Sequence, residues 1–206
     1  MKVWQCTICK YIHKGEKPPE KCPICGVDAS KFIEINEADI PIKKPKQKPI
    51  QTPPEPIKKE SKTIIKTIED LLCKHHAHPV SVHTPNGILP AAVVLWVLAW
   101  LFNSDLLAKV AVINLLFVMT ALPFVIYTGA LEWKRKYNGA MTMVFKIKIL
   151  AAALTSASCA ISIVWYLIDP AVLHSFKALI FLFINIVMLA AAGIAGYIGG
   201  KLVFKD

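Results

Sequence analysis

The sequence predicts two unlike parts: a small β/loop module at the amino end, then an all-α four-helix transmembrane bundle. Three observations carry that division. Four of the six cysteines fall within the first 25 residues, as Cys6-Thr7-Ile8-Cys9 and Cys22-Pro23-Ile24-Cys25. Four long runs free of Asp, Glu, Lys and Arg follow, at 75–104, 110–131, 149–168 and 178–200. Between the two parts lies a stretch dense in proline and lysine.

The cysteines come first in the chain and carry the sharpest chemistry. Each Cys-x-x-Cys delivers two thiolates from one tight turn, and the 12 intervening residues need fold back only once to close a tetrahedron on one metal. Two disulfides or a redox dithiol are the other uses of such pairs. Both are weak, because a unit of about 30 residues has too little core to stand without a bound metal or staple. The predicted ligands are Cys6, Cys9, Cys22 and Cys25. Donor type alone leaves iron and zinc both open.

The residues around the knuckles narrow the choice. Trp4, Tyr11, Gly15, Pro18-Pro19-Glu20, Gly26 and Phe32 fall in a fixed pattern about the four cysteines. Over residues 3 to about 35 this run resembles the rubredoxin-like domain of rubrerythrins. That resemblance implies one iron on Cys6, Cys9, Cys22 and Cys25, cycling between ferric and ferrous as a one-electron carrier. The family usually has glycine after the second cysteine, where this chain has Lys10. Glycine there tolerates an unusual backbone angle, so the knuckle or its potential is expected to differ.

After the metal module (1–36), residues 37–60 combine proline and lysine with almost no large apolar side chains, which predicts an extended linker. In polyproline form it reaches about 70 Å, so the module is expected to swing between a soluble partner and the membrane surface. Residues 61–77 follow as an amphipathic helix. Ile64, Ile65, Ile68, Leu71 and Leu72 recur at helical spacing opposite Lys62, Lys66, Glu69, Asp70 and Lys74, as on a helix lying in the bilayer interface or packed on the bundle. The membrane domain (78–206) is expected to cross at about 83–102, 110–131, 147–168 and 174–202, each long enough for a hydrocarbon core of about 30 Å.

The formal net charge is +10. The basic residues sit in the linker and at the ends of apolar runs, which favours a lipid headgroup reading over nucleic acid. Lys134, Arg135, Lys136, Lys146 and Lys148 crowd the connection between the second and third spans. By the positive-inside rule that connection, both termini and the metal module face the cytoplasm, in a multi-pass protein of the inner membrane. Two scattered thiols, Cys73 and Cys159, make no disulfide framework, as suits a reducing compartment.

At the mouth of the first span stand His75, His76, His78 and His83. Neutral imidazoles at a membrane boundary are common ligands of a b-type haem within a helical bundle. The His-Pro-x-x-x-His-x-Pro opening, Gly129-Ala130-Leu131-Glu132-Trp133 and Gly199-Gly200 make residues 75–206 similar to a poorly characterised bacterial four-helix membrane domain. By position the resemblance implies His78 and His83 as ligands of haem or metal, with Glu132 as a ligand or proton acceptor. Where members of that family carry further histidines, this chain has Lys146, Lys148 and Lys205. A quinone-headgroup pocket is the other cofactor reading, and a plain helix-end role for the histidines remains beside both. Asn114 and Asn185 are expected to bond between helices.

The sequence therefore supports a membrane-anchored one-electron carrier. Its cytoplasmic iron would serve a soluble redox protein or other subunits of a membrane redox complex, with haem b or quinone as membrane cofactors. The alternative is a non-redox scaffold or complex subunit capped by a zinc ribbon. No catalytic triad, phosphate loop or paired-carboxylate site is evident, so the chain is not expected to be an enzyme on its own.

Overall fold

The computed structural model describes residues 2–36 and 64–204, and the linker expected over 37–60 lies outside them. The amino module holds a three-stranded antiparallel sheet in the order β2-β1-β3, with β1 (Val3–Cys6), β2 (Ile12–Lys14) and β3 (Phe32–Ile35). In the register, Trp4 faces His13 on one side and Glu34 on the other. The sheet is short because its task is local: β1 ends at Cys6 and so aims the first knuckle.

Five α-helices make up the rest of the described chain. They are α1 (Ile64–Lys74), α2 (Ala77–Leu101), α3 (Asp105–Tyr137), α4 (Met143–Ile168) and α5 (Ala178–Phe204). The last four are long and apolar enough to cross a membrane. The fourth begins at Ala178, later than the expected 174, because a short 3-10 turn at Val172–His174 precedes it. Short connections turn each helix back along its predecessor. The starts of α2 and α4 and the ends of α3 and α5 therefore share one end, rich in lysine. At the other end His174 Nε2 lies 3.0 Å from Asp105 Oδ1 and its Nδ1 meets Asn103, far from the other histidines.

The bundle core is apolar and aromatic. Trp96 of α2 is fully buried, with edge-on contacts to Tyr166 of α4 at 5.0 Å and Phe181 of α5 at 4.8 Å between ring centroids. Large apolar side chains such as Phe117, Leu150 and Phe183 lie on the outside, as a lipid-facing surface requires. Buried Asn185 departs from expectation. Its Nδ2 donates to the Phe181 carbonyl of its own helix at 2.9 Å, and its Oδ1 has no partner among the described residues.

Helix α1 runs beside α2 and α3. Arg135 of α3 donates to Asp70 at 2.5 Å and to Glu69 at 2.7 Å, and that fork fixes α1 against the lysine-rich end. The apolar side chains Ile64, Ile65, Ile68 and Leu71 remain outward and exposed.

The module is packed on the bundle. Its core residues Ile24, Val27 and Phe32 form one buried cluster with Phe145 and Leu202, bordered by Trp133, Tyr137, Val144 and Ile198. The sequence expectation of a module swinging on its tether is therefore replaced by a docked one. The physical reason is the aromatic and aliphatic patch at the lysine-rich end, which the module removes from water.

Candidate metal centre

Two backbone knuckles of matching design present the sulfurs. In the first, the Lys10 amide donates to the Cys6 carbonyl at 3.0 Å and the Cys6 amide to the Tyr11 carbonyl at 2.9 Å. In the second, the Gly26 amide donates to the Cys22 carbonyl at 2.9 Å and the Cys22 amide to the Val27 carbonyl at 2.7 Å. Each knuckle ends in a left-handed residue, Lys10 at φ 61° and Gly26 at φ 73°. Lys10 thus keeps the backbone that glycine would supply, at a strain of about 1 kcal/mol. Gly26 has a further reason to lack a side chain. An added Cβ would lie 3.4 Å from Val144 Cγ2 of α4, on the docking surface.

The four sulfurs converge. Cys6 Sγ lies 3.8 Å from Cys25 Sγ, Cys9 Sγ lies 3.5 Å from Cys22 Sγ, and all four are within 4.8 Å of one another. A tetrahedral site with metal–sulfur bonds of about 2.3 Å has edges of about 3.8 Å, so the set fits one ion. All four thiols are free of disulfides and buried. Their closeness splits their acidities. Hydrogen bonds from Cys25 and Cys9 push the Cys22 thiol down to about 2, while the bond to Cys22 pushes Cys9 up to about 12. Cys25 is also pushed up, first by Cys22 and then by Cys9. Four convergent cysteines are the donor set that a thiophilic cation takes as thiolates, displacing their protons. Backbone amides of Tyr11 and Val27 reach Cys9 and Cys25, which favours the thiolate form.

The docking surface touches this site directly. Thr142, just before α4, donates its hydroxyl to the Cys25 carbonyl at 2.5 Å. Tyr137 donates to the Leu202 carbonyl at 3.1 Å, and its ring packs on Phe145 at 5.0 Å. Trp133 donates to the Ala140 carbonyl at 2.9 Å, which braces the turn that carries Thr142. One wall of the metal site therefore belongs to the membrane domain. Sequence reading missed Thr142, Phe145 and Leu202. The one available signal was the concentration of aromatic rings beside Lys134–Lys136, which reads equally well as an interfacial belt.

The histidines expected to hold a membrane cofactor do not come together. His78 lies in a notch at Gly129, where a Cβ would sit 2.8 Å from its ring, and its Nδ1 is 3.4 Å from the Thr128 hydroxyl. His83 is exposed. Five residues apart on one helix, the two side chains point about 140° away from each other. Glu132 does share a cavity with His78, together with Cys73 and His76, but that cavity holds only about 10 Å³. This is room for about one water, and a haem does not fit. The Glu132 carboxylate is engaged by Lys136.

This geometry defines the class: a sheet-borne pair of thiolate knuckles closing on one metal. Residues 4–33 match the family described as "Rubrerythrin, rubredoxin-like domain". The amino module is a rubredoxin-like domain of the rubrerythrin type, and the four apolar helices after it fit a membrane domain. Among curated proteins, Reverse rubrerythrin-1 of Clostridium acetobutylicum is 49% identical over 37 residues, which is 18% of this chain and 20% of that protein. The chain thus spans about a fifth of the curated relative it matches. No solved structure matches it.

Proposed function

We propose that this protein is a membrane-anchored one-electron carrier. Cys6, Cys9, Cys22 and Cys25 hold a single iron, which supplies one electron at a time between its ferric and ferrous forms. The observation that carries the reading is the docking of a redox-type thiolate site onto the membrane domain, with Thr142 bonded to Cys25 itself. Such a contact would place the centre at a fixed distance from the bilayer, as electron exchange requires and a mere tether would not.

The residues divide the work. The knuckle amides hold the sulfurs as thiolates, and the buried cluster around Ile24 and Phe145 keeps bulk water off the metal. Arg135, Lys134 and Lys136 set the lysine-rich end on the cytoplasmic side of the inner membrane, so both termini and the module face a soluble cytoplasmic redox partner. Helix α1, with its apolar side chains outward, suits the lipid headgroup layer.

The test is the visible spectrum of protein purified from its native host, with iron and zinc quantified in the same sample. The expected result is stoichiometric iron and a thiolate-to-ferric absorption that bleaches on reduction and returns on oxidation. Stoichiometric zinc and a colourless protein would replace the carrier with a zinc-capped membrane scaffold.

A further inference from the structure

A groove of about 320 Å³ between α2 and α5 is lined by Asn86, Leu89, Pro90, Gly193, Gly196 and Tyr197, among others. Its size is that of a small-molecule site. Most of its wall is apolar and opens to the outside of the bundle, and its polar side chains, Asn86 and Tyr197, are both exposed. Asn86 sits against Gly196, where an added Cβ would lie 3.2 Å from Nδ2, and its amide makes no hydrogen bond to a described residue. Pro90 has no N–H to give to the Asn86 backbone carbonyl four residues earlier, so that carbonyl also lacks its ordinary helical partner. The Tyr197 hydroxyl likewise has no described partner.

We infer that this groove binds the headgroup of a membrane quinone. The occupant must be apolar enough to live in the bilayer, flat enough for a cleft walled by glycines, and able to meet donors and acceptors together. A quinone ring offers two carbonyls to Asn86 Nδ2 and the Tyr197 hydroxyl. The reduced form offers hydroxyls to the Asn86 carbonyl oxygens. Its tail leaves through the side of the groove open to lipid.

Position adds the functional link. The module docks on Ile198 and Leu202 of α5, while Gly193, Gly196 and Tyr197 face the groove from the same stretch of that helix. From Gly196 to Leu202 the helix rises only about 9 Å. The inference rests on the carrier reading for its reaction, though not for binding. An iron held by Cys6, Cys9, Cys22 and Cys25 would supply two electrons in two successive ferrous-to-ferric oxidations. With two protons from the lysine-rich side, these convert the two carbonyls of the quinone to the two hydroxyls of the quinol. A soluble one-electron donor re-reduces the iron after each step. His83 stands three residues from Asn86 on α2, toward the proton source.

Binding is tested on the full chain in lipid nanodiscs, with zinc in the thiolate site so that no electron moves. A short-tailed benzoquinone is titrated and quenching of tryptophan fluorescence is recorded. The expected result is a saturable component weakened about tenfold in Asn86→Leu, the value of one lost hydrogen bond. Gly193→Leu, which fills the groove at a position where an added Cβ meets nothing within 4 Å, is expected to abolish it. Quenching that only rises linearly with quinone in the lipid, or that is the same in both variants, overturns the inference. So does a change in chains per nanodisc on Gly193→Leu, which would make the groove an interface between copies. Because the zinc-loaded protein carries no electrons, a native zinc centre would remove the carrier reading and leave this binding result standing.

Discussion

Lys10 and Gly26 occupy equivalent places in the two knuckles, but only one of them is glycine. Both are left-handed, so the backbone requirement is the same and the difference lies in what surrounds each residue. Lys10 is exposed and carries its strain without a clash. Lys10→Gly is expected to stabilise the loaded module by about 1 kcal/mol by removing that strain, measured as slower metal loss to a chelator. Gly26→Ala is expected to cost about 1–2 kcal/mol for the same backbone reason. Its methyl group also meets Val144, so metal loss should be faster and cysteine alkylation should rise with it. Equal effects at the two positions would mean that docking puts no constraint on the second knuckle.

Among the elements, α4 links the metal site to the membrane: its first turn carries Val144 and Phe145, and Thr142 stands just before it. Phe145 is 4% exposed although it lies at a helix end, because the module covers it. Phe145→Ala is expected to weaken docking by about 3 kcal/mol. Hydrogen exchange should then quicken in β1 and β3 while α2 to α5 keep their protection. Unchanged exchange in the module would mean that it holds its fold and place without this ring. The spans were legible because twenty uncharged apolar residues have few other uses, and the thiolate site because Cys-x-x-Cys spacing dictates its own turn. Docking was not legible, since Thr142 and Cys25 are 117 residues apart and nothing in local periodicity reports such a pair. That His78 and His83 do not face one another was readable, because five positions on a helix already separate their side chains by about 140°. The resemblance to a histidine-bearing membrane domain outweighed that angle.

For the whole molecule, the two parts draw their stability from different sources. Apart from the carbonyls that face Pro85, Pro90 and Pro123, the bundle satisfies its backbone within its own helices, and it buries Trp96, Phe181 and Leu115 without help from the module. The module has about 35 residues and a core of few side chains, so the free energy of metal binding is most of its folding free energy. Removing the metal should therefore unfold one part and spare the other. The pH dependence has a definite sign. The bound sulfurs are proton-free, whereas a released cysteine has a pKa of about 8.5 and takes up a proton at neutral pH. Each step down in pH thus favours release, and rising pH favours retention. A chelator in mildly acidic buffer is expected to make Cys6, Cys9, Cys22 and Cys25 open to alkylation while the helical circular dichroism falls only slightly. Trp133 fluorescence should shift to the red as its face of the dock becomes wet. A large loss of helix on metal removal would show instead that the bundle depends on its cap, and the protein would then be one cooperative unit.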